Sequence, residues 1–266
     1  MNKEVSQRKA RALRFIVLMG LVSLFGDIVY EGARGVTGPY LALLGASAFA
    51  VGLVGGLGEF IGYALRLLSG FIADRTKAYW FFTFIGYGLI FSIPLLSFAN
   101  SWWVAALFII MERAGKAFRS PARDTILSYA TKEVGRGFGF GIHEALDQIG
   151  AIVGPLIFSF IIFFGGDYRA GFSILWIPAL IVVIILTIAR NQLPHPEKLE
   201  TPEESEEKDS KIFSRVFILY SLFIFLSVAG FANFPLISYH LKVKSIMSDV
   251  QIPTFYALAM GVDAIV

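Results

Sequence analysis

Cysteine is absent from the 266 residues, which excludes disulfides and thiolate chemistry and leaves the redox compartment unreadable. Charge is scarce: 16% of residues are Asp, Glu, Lys or Arg, against about 25% in soluble domains. Histidine is scarcer still, with His143, His195 and His240 the complete set. His143-Glu144-Ala145-Leu146-Asp147 has the opening of a His-Glu-x-x-His zinc motif. Its second histidine is replaced by Asp147, and His195 and His240 fall too far along the chain to reach it. Too few ligands remain for a tetrahedral metal site. No nucleophile set or cofactor loop converges either, so no enzyme, metal or cofactor is expected.

What is plentiful is apolar surface. The chain is 56% hydrophobic with a mean hydropathy of +0.68, and the excess falls in blocks of about 20 residues, the length that crosses a bilayer as a helix. Spans are expected near 15–36, 48–72, 79–98, 102–121, 137–164, 169–190 and 213–239, with an eighth from about 253 onward. The fold class is therefore all-α, a polytopic membrane helix bundle surrounded by lipid. The basic leader Lys3, Arg8, Lys9, Arg11 and Arg14 runs straight into the first span with no small-residue cleavage site, as in a signal anchor. Lys and Arg crowd every second polar segment: the leader, Arg75 and Lys77, then Lys116 through Arg136, then Arg190 through Arg215. Positive-inside sorting puts the N-terminus in the cytoplasm, in a plasma (inner) membrane. The formal charge of +3 is thus divided between membrane faces, and no nucleic-acid partner is expected.

The polar stretch 191–212 holds Pro194, Pro196 and Pro202 and the acids Glu203, Glu204, Glu206, Glu207 and Asp209. It lacks apolar surface to bury and reads as a flexible cytoplasmic linker. It separates a six-helix domain, 1–190, from a partial second domain, 213–266. Weak internal symmetry supports two related halves: Gly38-Pro39-Tyr40-Leu41 and Phe234-Pro235-Leu236-Ile237 close the first and seventh spans, and Gly58-Glu59 and Val262-Asp263 occupy similar depths in the second and eighth.

Ionisable groups inside spans are costly and point to function. Asp27 and Glu59 reach mid-membrane and read as cavity-lining or proton-carrying carboxylates. Glu31 and Arg34 read as a local i, i+3 pair. Arg66 is either a pathway cation or a side chain that snorkels to the surface. A rise of about 1.5 Å per residue puts Glu112 and Arg113 at the depth of Glu144 and Asp147. That predicts a bridge from Arg113 to one of these acids, either a proton-sensitive latch or a static packing pair. His143 beside them is a candidate proton-relay member. Next on the same helix, Gly150-Ala151-Ile152-Val153-Gly154-Pro155 strips one face of side chains and predicts close packing on a neighbour through Gly150 and Gly154, with Pro155 easing a bend. Tyr30, Tyr63 and Tyr87, deeper in, read as cavity lining or, in preference, as core packing, and Trp102 and Trp103 as interfacial anchors.

These residues resemble the major facilitator superfamily. Gly70-Phe71-Ile72-Ala73-Asp74-Arg75 is similar to its signature loop between helices 2 and 3, although Thr76-Lys77-Ala78-Tyr79 departs from the usual continuation. Gly150 through Pro155 resembles the helix-5 motif of proton-coupled exporters, Arg113 their buried helix-4 arginine, and Gly38-Pro39 a helix-1 proline motif. The resemblance implies secondary transport by alternating access, with proton-coupled export of a small organic molecule by a monomer as the first expectation. Proton-coupled nutrient uptake, or a non-transporting truncated or sensor protein, are the alternatives. It also implies that Gly70, Asp74 and Arg75 gate the cytoplasmic face. Such proteins have twelve helices, so the chain reads as the first half, the linker and the opening of the second half, truncated within the eighth span.

Overall fold

The computed structural model describes residues 3–196, 215–228 and 232–265. Ten α-helices and two 3-10 turns make up the regular structure of these residues. The first helix, α1, runs over Lys3–Leu43, so the basic leader continues the helix instead of preceding it. Ser47 starts α2 (Ala48–Thr76) by accepting the Ala50 amide at 3.2 Å. The turn that follows α2 passes through Lys77 at φ 56°. The third span is α3 (Tyr79–Gly88) continued by 3-10 turns at Leu89–Ser92 and Pro94–Phe98. Pro94 has no amide hydrogen to continue α-helical bonding.

Helix α4 (Trp102–Thr131) reaches well past the expected 102–121. Helix α5 covers Arg136–Phe163, and the sixth span is α6 (Tyr168–Ile174) followed at Leu175 by α7 (Trp176–Gln192). The sequence reading places a single helix over 213–239, and here the structure differs. The described residues form α8 (Arg215–Val228) and a separate α9 (Phe234–Val243). Asn233 caps α9 by accepting the Leu236 amide at 3.2 Å, and Pro235 occupies its first turn. Phe234-Pro235 therefore opens a helix, whereas Gly38-Pro39 lies in the last turns of α1. The last helix, α10, spans Gln251–Asp263. Most of the expected linker, 197–212, lies outside the described residues.

Among the described residues, five segments are long and apolar enough to cross a membrane: Ser6–Leu43, Ala48–Thr76, Tyr79–Phe98, Arg136–Phe163 and Tyr168–Gln192. Helix α4 is of similar length but carries Glu112, Arg113, Lys116, Arg119, Arg123 and Asp124. Glu112, Arg113 and Arg119 are buried inside the bundle, which is how a charged helix is accommodated among apolar ones. The outer surface keeps large apolar side chains such as Phe60, Leu67, Phe71 and Phe160 exposed, the pattern of a lipid-facing wall.

Helix α1 is the hub. It lies along α5 over its length and also meets α4, α7 and α9. Two apolar cores flank its middle. One, at the end carrying the basic leader, gathers Ile16, Met19, Val22, Tyr79, Ile126, Leu127 and Leu186. The other, toward the opposite end, gathers Val36, Leu41, Val51, Ile90, Leu96, Phe158 and Phe172. Between them Ser23, Asp27, Tyr30, Glu31 and Arg34 recur every three or four residues, so one polar face of α1 turns inward.

Candidate functional site

The polar layer holds two clusters. The larger is built from α1, α2, α4 and α10. Arg113 of α4 lies 3.3 Å from the Glu59 carboxylate of α2 and donates to the Tyr30 hydroxyl of α1. Arg34 reaches the same carboxylate at 3.5 Å and Tyr30 at 3.2 Å. Glu31 stands 3.8 Å from Arg34 and accepts a hydrogen bond from Tyr256 of α10. Behind Arg113, Glu112 bridges to Arg119 at 3.4 Å. The Lys116 ammonium rests on the Tyr30 ring, 3.8 Å from its centre, with the Arg113 guanidinium 4.9 Å from the same point. Close approach of α2 to α4 depends on Gly58, where a Cβ would sit 3.1 Å from Arg113 Cγ. The result is a cavity of about 230 Å³ lined by Tyr30, Arg34, Glu59, Tyr63, Arg66, Arg113 and Lys116.

The second cluster sits one turn along α1, toward the basic end. Ser23 donates to Asp147 of α5 and accepts from Arg123 of α4 at 3.1 Å. Asp27 interacts with Asp147, so two carboxyl groups meet across the α1–α5 contact. Arg123 also pairs with Asp124 at 2.9 Å. His143 is buried beside this cluster, and its Nε2 has no hydrogen-bond partner. Glu144 turns the other way: it is exposed, and Gln148 links it at 3.3 Å to Asp263 of α10 at 3.4 Å.

Arg113 therefore bridges to Glu59 and not to Glu144 or Asp147 as its depth suggests. Equal height along two helices does not put side chains on facing sides. Asp27 has Asp147 as its acidic neighbour, while Glu59 belongs with the arginines. Nor is Arg113 the lone cation of the layer, since Lys116, Arg119 and Arg123 extend the same face of α4. The sequence reading counts these three with a basic cytoplasmic segment, although Lys116 and Arg119 fall inside the expected 102–121 span, and prefers core packing to cavity lining for Tyr30. Their signal is the spacing 112, 113, 116, 119, 123, one stripe of a helix. Arg66 projects to the cavity, where its guanidinium lies 5.6 Å from the Tyr63 ring centre.

The glycine pair of α5 lies against α1. A Cβ on Gly154 would stand 2.6 Å from the Ile28 carbonyl oxygen and 2.7 Å from the Gly32 nitrogen, and one on Gly150 would strike the Leu24 carbonyl. Pro155 is buried beside them. At the basic end, Gly70 faces Pro121 of α4, where a Cβ would make a 3.4 Å contact. Asp74 and Arg75 are exposed, and Asp74 accepts from the Tyr79 hydroxyl at 3.5 Å. Among the described residues no group of three or more His, Asp or Glu side chains gathers as a metal site.

Long apolar helices around a buried charged layer define a multi-pass membrane protein. The sequence model of the Major Facilitator Superfamily matches residues 15–266. The uncharacterized protein Rv2265 of Mycobacterium tuberculosis is 40% identical over 260 residues, covering 96% of this chain and 64% of that protein. The uncharacterized MFS-type transporter MJ1317 of Methanocaldococcus jannaschii is 29% identical over 89% of this chain and 58% of its own length. The multidrug resistance protein MdtH of Photorhabdus laumondii is 26% identical over 88% of this chain and 58% of its length. The chain belongs to the Major Facilitator Superfamily. It spans less than two thirds of the length of these relatives.

Proposed function

We propose that the chain forms the larger part of a secondary transporter that moves a small molecule by alternating access and couples that movement to protons. One observation carries the reading: a layer of buried and half-buried, mutually engaged charges from α1, α2, α4 and α5, joined by Tyr256 of α10, in an otherwise apolar bundle. Charges in such a setting are costly unless they serve a pathway. The Asp27–Asp147 contact is the proton site of this account. Two facing carboxyl groups hold one proton between them, and losing it makes them repel. The repulsion falls across the α1–α5 contact, so the protonation state biases how tightly these helices close. The smooth Gly150–Gly154 face lets them shift without unlocking side chains. His143 serves as the relay member beside this pair, Arg123 holds Ser23 in place as a fixed cation, and Glu144, through Gln148, carries the coupling toward Asp263 of α10.

In this reading residues 1–190 form one rocking half, and 213–266 open the second. Gly70, Asp74 and Arg75 belong to a gate at the cytoplasmic face of the plasma membrane, the face that also holds the N-terminus, and the transporter acts as a monomer. Export is favoured as the direction by the resemblance of the helix-5 motif to that of exporters and by the similarity to multidrug resistance proteins. The test is flux in proteoliposomes made with the intact gene product, measured with a pH gradient, without one, and with a proton ionophore. Gradient-dependent flux supports the reading, and flux that ignores the gradient refutes proton coupling.

A further inference from the structure

The cavity between α1, α2 and α4 has a sign. Four cations line it, Arg34, Arg66, Arg113 and Lys116, against one carboxylate, Glu59. That carboxylate is already engaged, by Arg113 at 3.3 Å and Arg34 at 3.5 Å. Glu31 and Glu112 just behind the wall are likewise taken, the first by Tyr256 and Arg34 and the second by Arg119. Counting Arg119 and Asp27 with these neighbours, five cations meet four carboxylates, and Asp27 is shared with Asp147 of the second cluster.

The surplus resides on particular atoms. Among the described residues no carboxylate lies within 4.0 Å of Lys116 or Arg66. The Lys116 ammonium rests on the face of Tyr30, at 3.8 Å, with Glu31 and Asp27 as acidic neighbours beyond ion-pair distance. The Nε atoms of Arg34 and Arg66 are buried without a hydrogen-bond partner. An uncompensated cation in a membrane interior is costly, and a bound anion offsets that cost.

We propose that this cavity binds the carboxylate or phosphate of a small organic anion, which makes the cargo of the transporter proposed above an anion. The inference rests on that reading for the word cargo and on the cavity alone for the binding. Guanidinium groups from three helices converge on a space of about 230 Å³, the volume of seven or eight waters at ~30 Å³ each. They offer paired N–H donors to the planar or tetrahedral oxygens of such a group, and Lys116 supplies a point charge. Tyr30 and Tyr63 give the rest of the molecule aromatic walls, with Tyr63 exposed at the mouth. A cationic compound finds no free carboxylate here.

The test uses the intact gene product in detergent at fixed ionic strength. Binding is measured by calorimetry for benzoate, citrate and glucose 6-phosphate, with glucose and tetraethylammonium as neutral and cationic probes. We expect saturable binding of at least one anion and none of the other two probes. Benzoate and citrate against glucose 6-phosphate separates a carboxylate site from a phosphate site. Lys116→Gln weakens the bound anion about tenfold or more, and Lys116→Arg restores it, which a merely structural role for the side chain does not predict. Where Lys116→Gln fails to fold, Arg66→Gln provides the same comparison. The proposal is overturned if no anion saturates, if neither substitution weakens binding, or if tetraethylammonium binds with the same dependence on Lys116. Anion binding without flux of any probe upholds the site and refutes the transport reading. Flux of glucose or tetraethylammonium with no anion binding upholds transport and refutes the anion.

Discussion

Substituting alanine for Gly154 tests the α1–α5 contact at its tightest point. The new Cβ would lie 2.6 Å from the Ile28 carbonyl oxygen and 2.7 Å from the Gly32 nitrogen, both rigid backbone atoms of α1, where ordinary contact begins at 3.4 Å. Restoring that distance requires the helices to part by roughly 0.8 Å, and overpacking of this kind costs about 1–3 kcal/mol. Gly141 lies on the same helix, and a Cβ there meets nothing within 4 Å. Gly141→Ala is therefore neutral or gains about 0.5–1 kcal/mol from helix propensity. The propensity gain applies equally to Gly154→Ala, so the two variants should differ by about 1–3 kcal/mol, the overpacking cost alone. Reversible unfolding in mixed micelles, followed by far-UV circular dichroism, measures the difference. Gly154→Leu, which needs far more room, should insert and yet abolish flux in proteoliposomes. If Gly154→Ala unfolds at the same point as Gly141→Ala, the close approach of α5 to α1 is wrong.

Two further outcomes follow from the charged layer and from the topology. Arg113→Leu leaves Glu59 and Tyr30 facing a buried gap and should cost about 3 kcal/mol in the same unfolding assay, whereas Glu59→Gln should cost less because that side chain is 32% exposed; equal costs would refute the asymmetry. The chain has no cysteine, so S205C gives a single labelling site. It should react with a membrane-impermeant maleimide only after the cells are opened, and labelling of intact cells would invert the proposed orientation.

The fold class was legible because apolar blocks of bilayer length are a coarse signal that survives boundary errors. The breaks within spans were not. Asn233 and Pro235 read as ordinary residues near the end of one apolar run, but together they make a helix start: Asn233 caps the Leu236 amide. Helix α4 was harder to read, since its basic residues count equally well as a loop that marks the cytoplasmic side. Their three- and four-residue spacing is the discriminating feature, and it places Lys116, Arg119 and Arg123 on the stripe of Arg113. Pairing within the layer was not legible. Rise per residue fixes the height of a side chain on its helix but not the direction it faces, so Arg113 was assigned to Glu144 or Asp147 when Glu59 of α2 lies before it. The contribution of Tyr256 to Glu31 spans 225 residues of sequence and has no local signal at all.

The central claim is that the facing carboxyl groups of Asp27 and Asp147 couple proton movement to the motion of α1 against α5. The most direct measurement compares proteoliposome flux of wild type, Asp27→Asn and Asp147→Asn in two modes, driven by a pH gradient and as exchange at equal pH on both sides. Neutralising either acid should abolish the response to the gradient while leaving exchange intact, because the helices can still rock without a proton to gain or lose. Full gradient-driven flux in both variants would contradict the account.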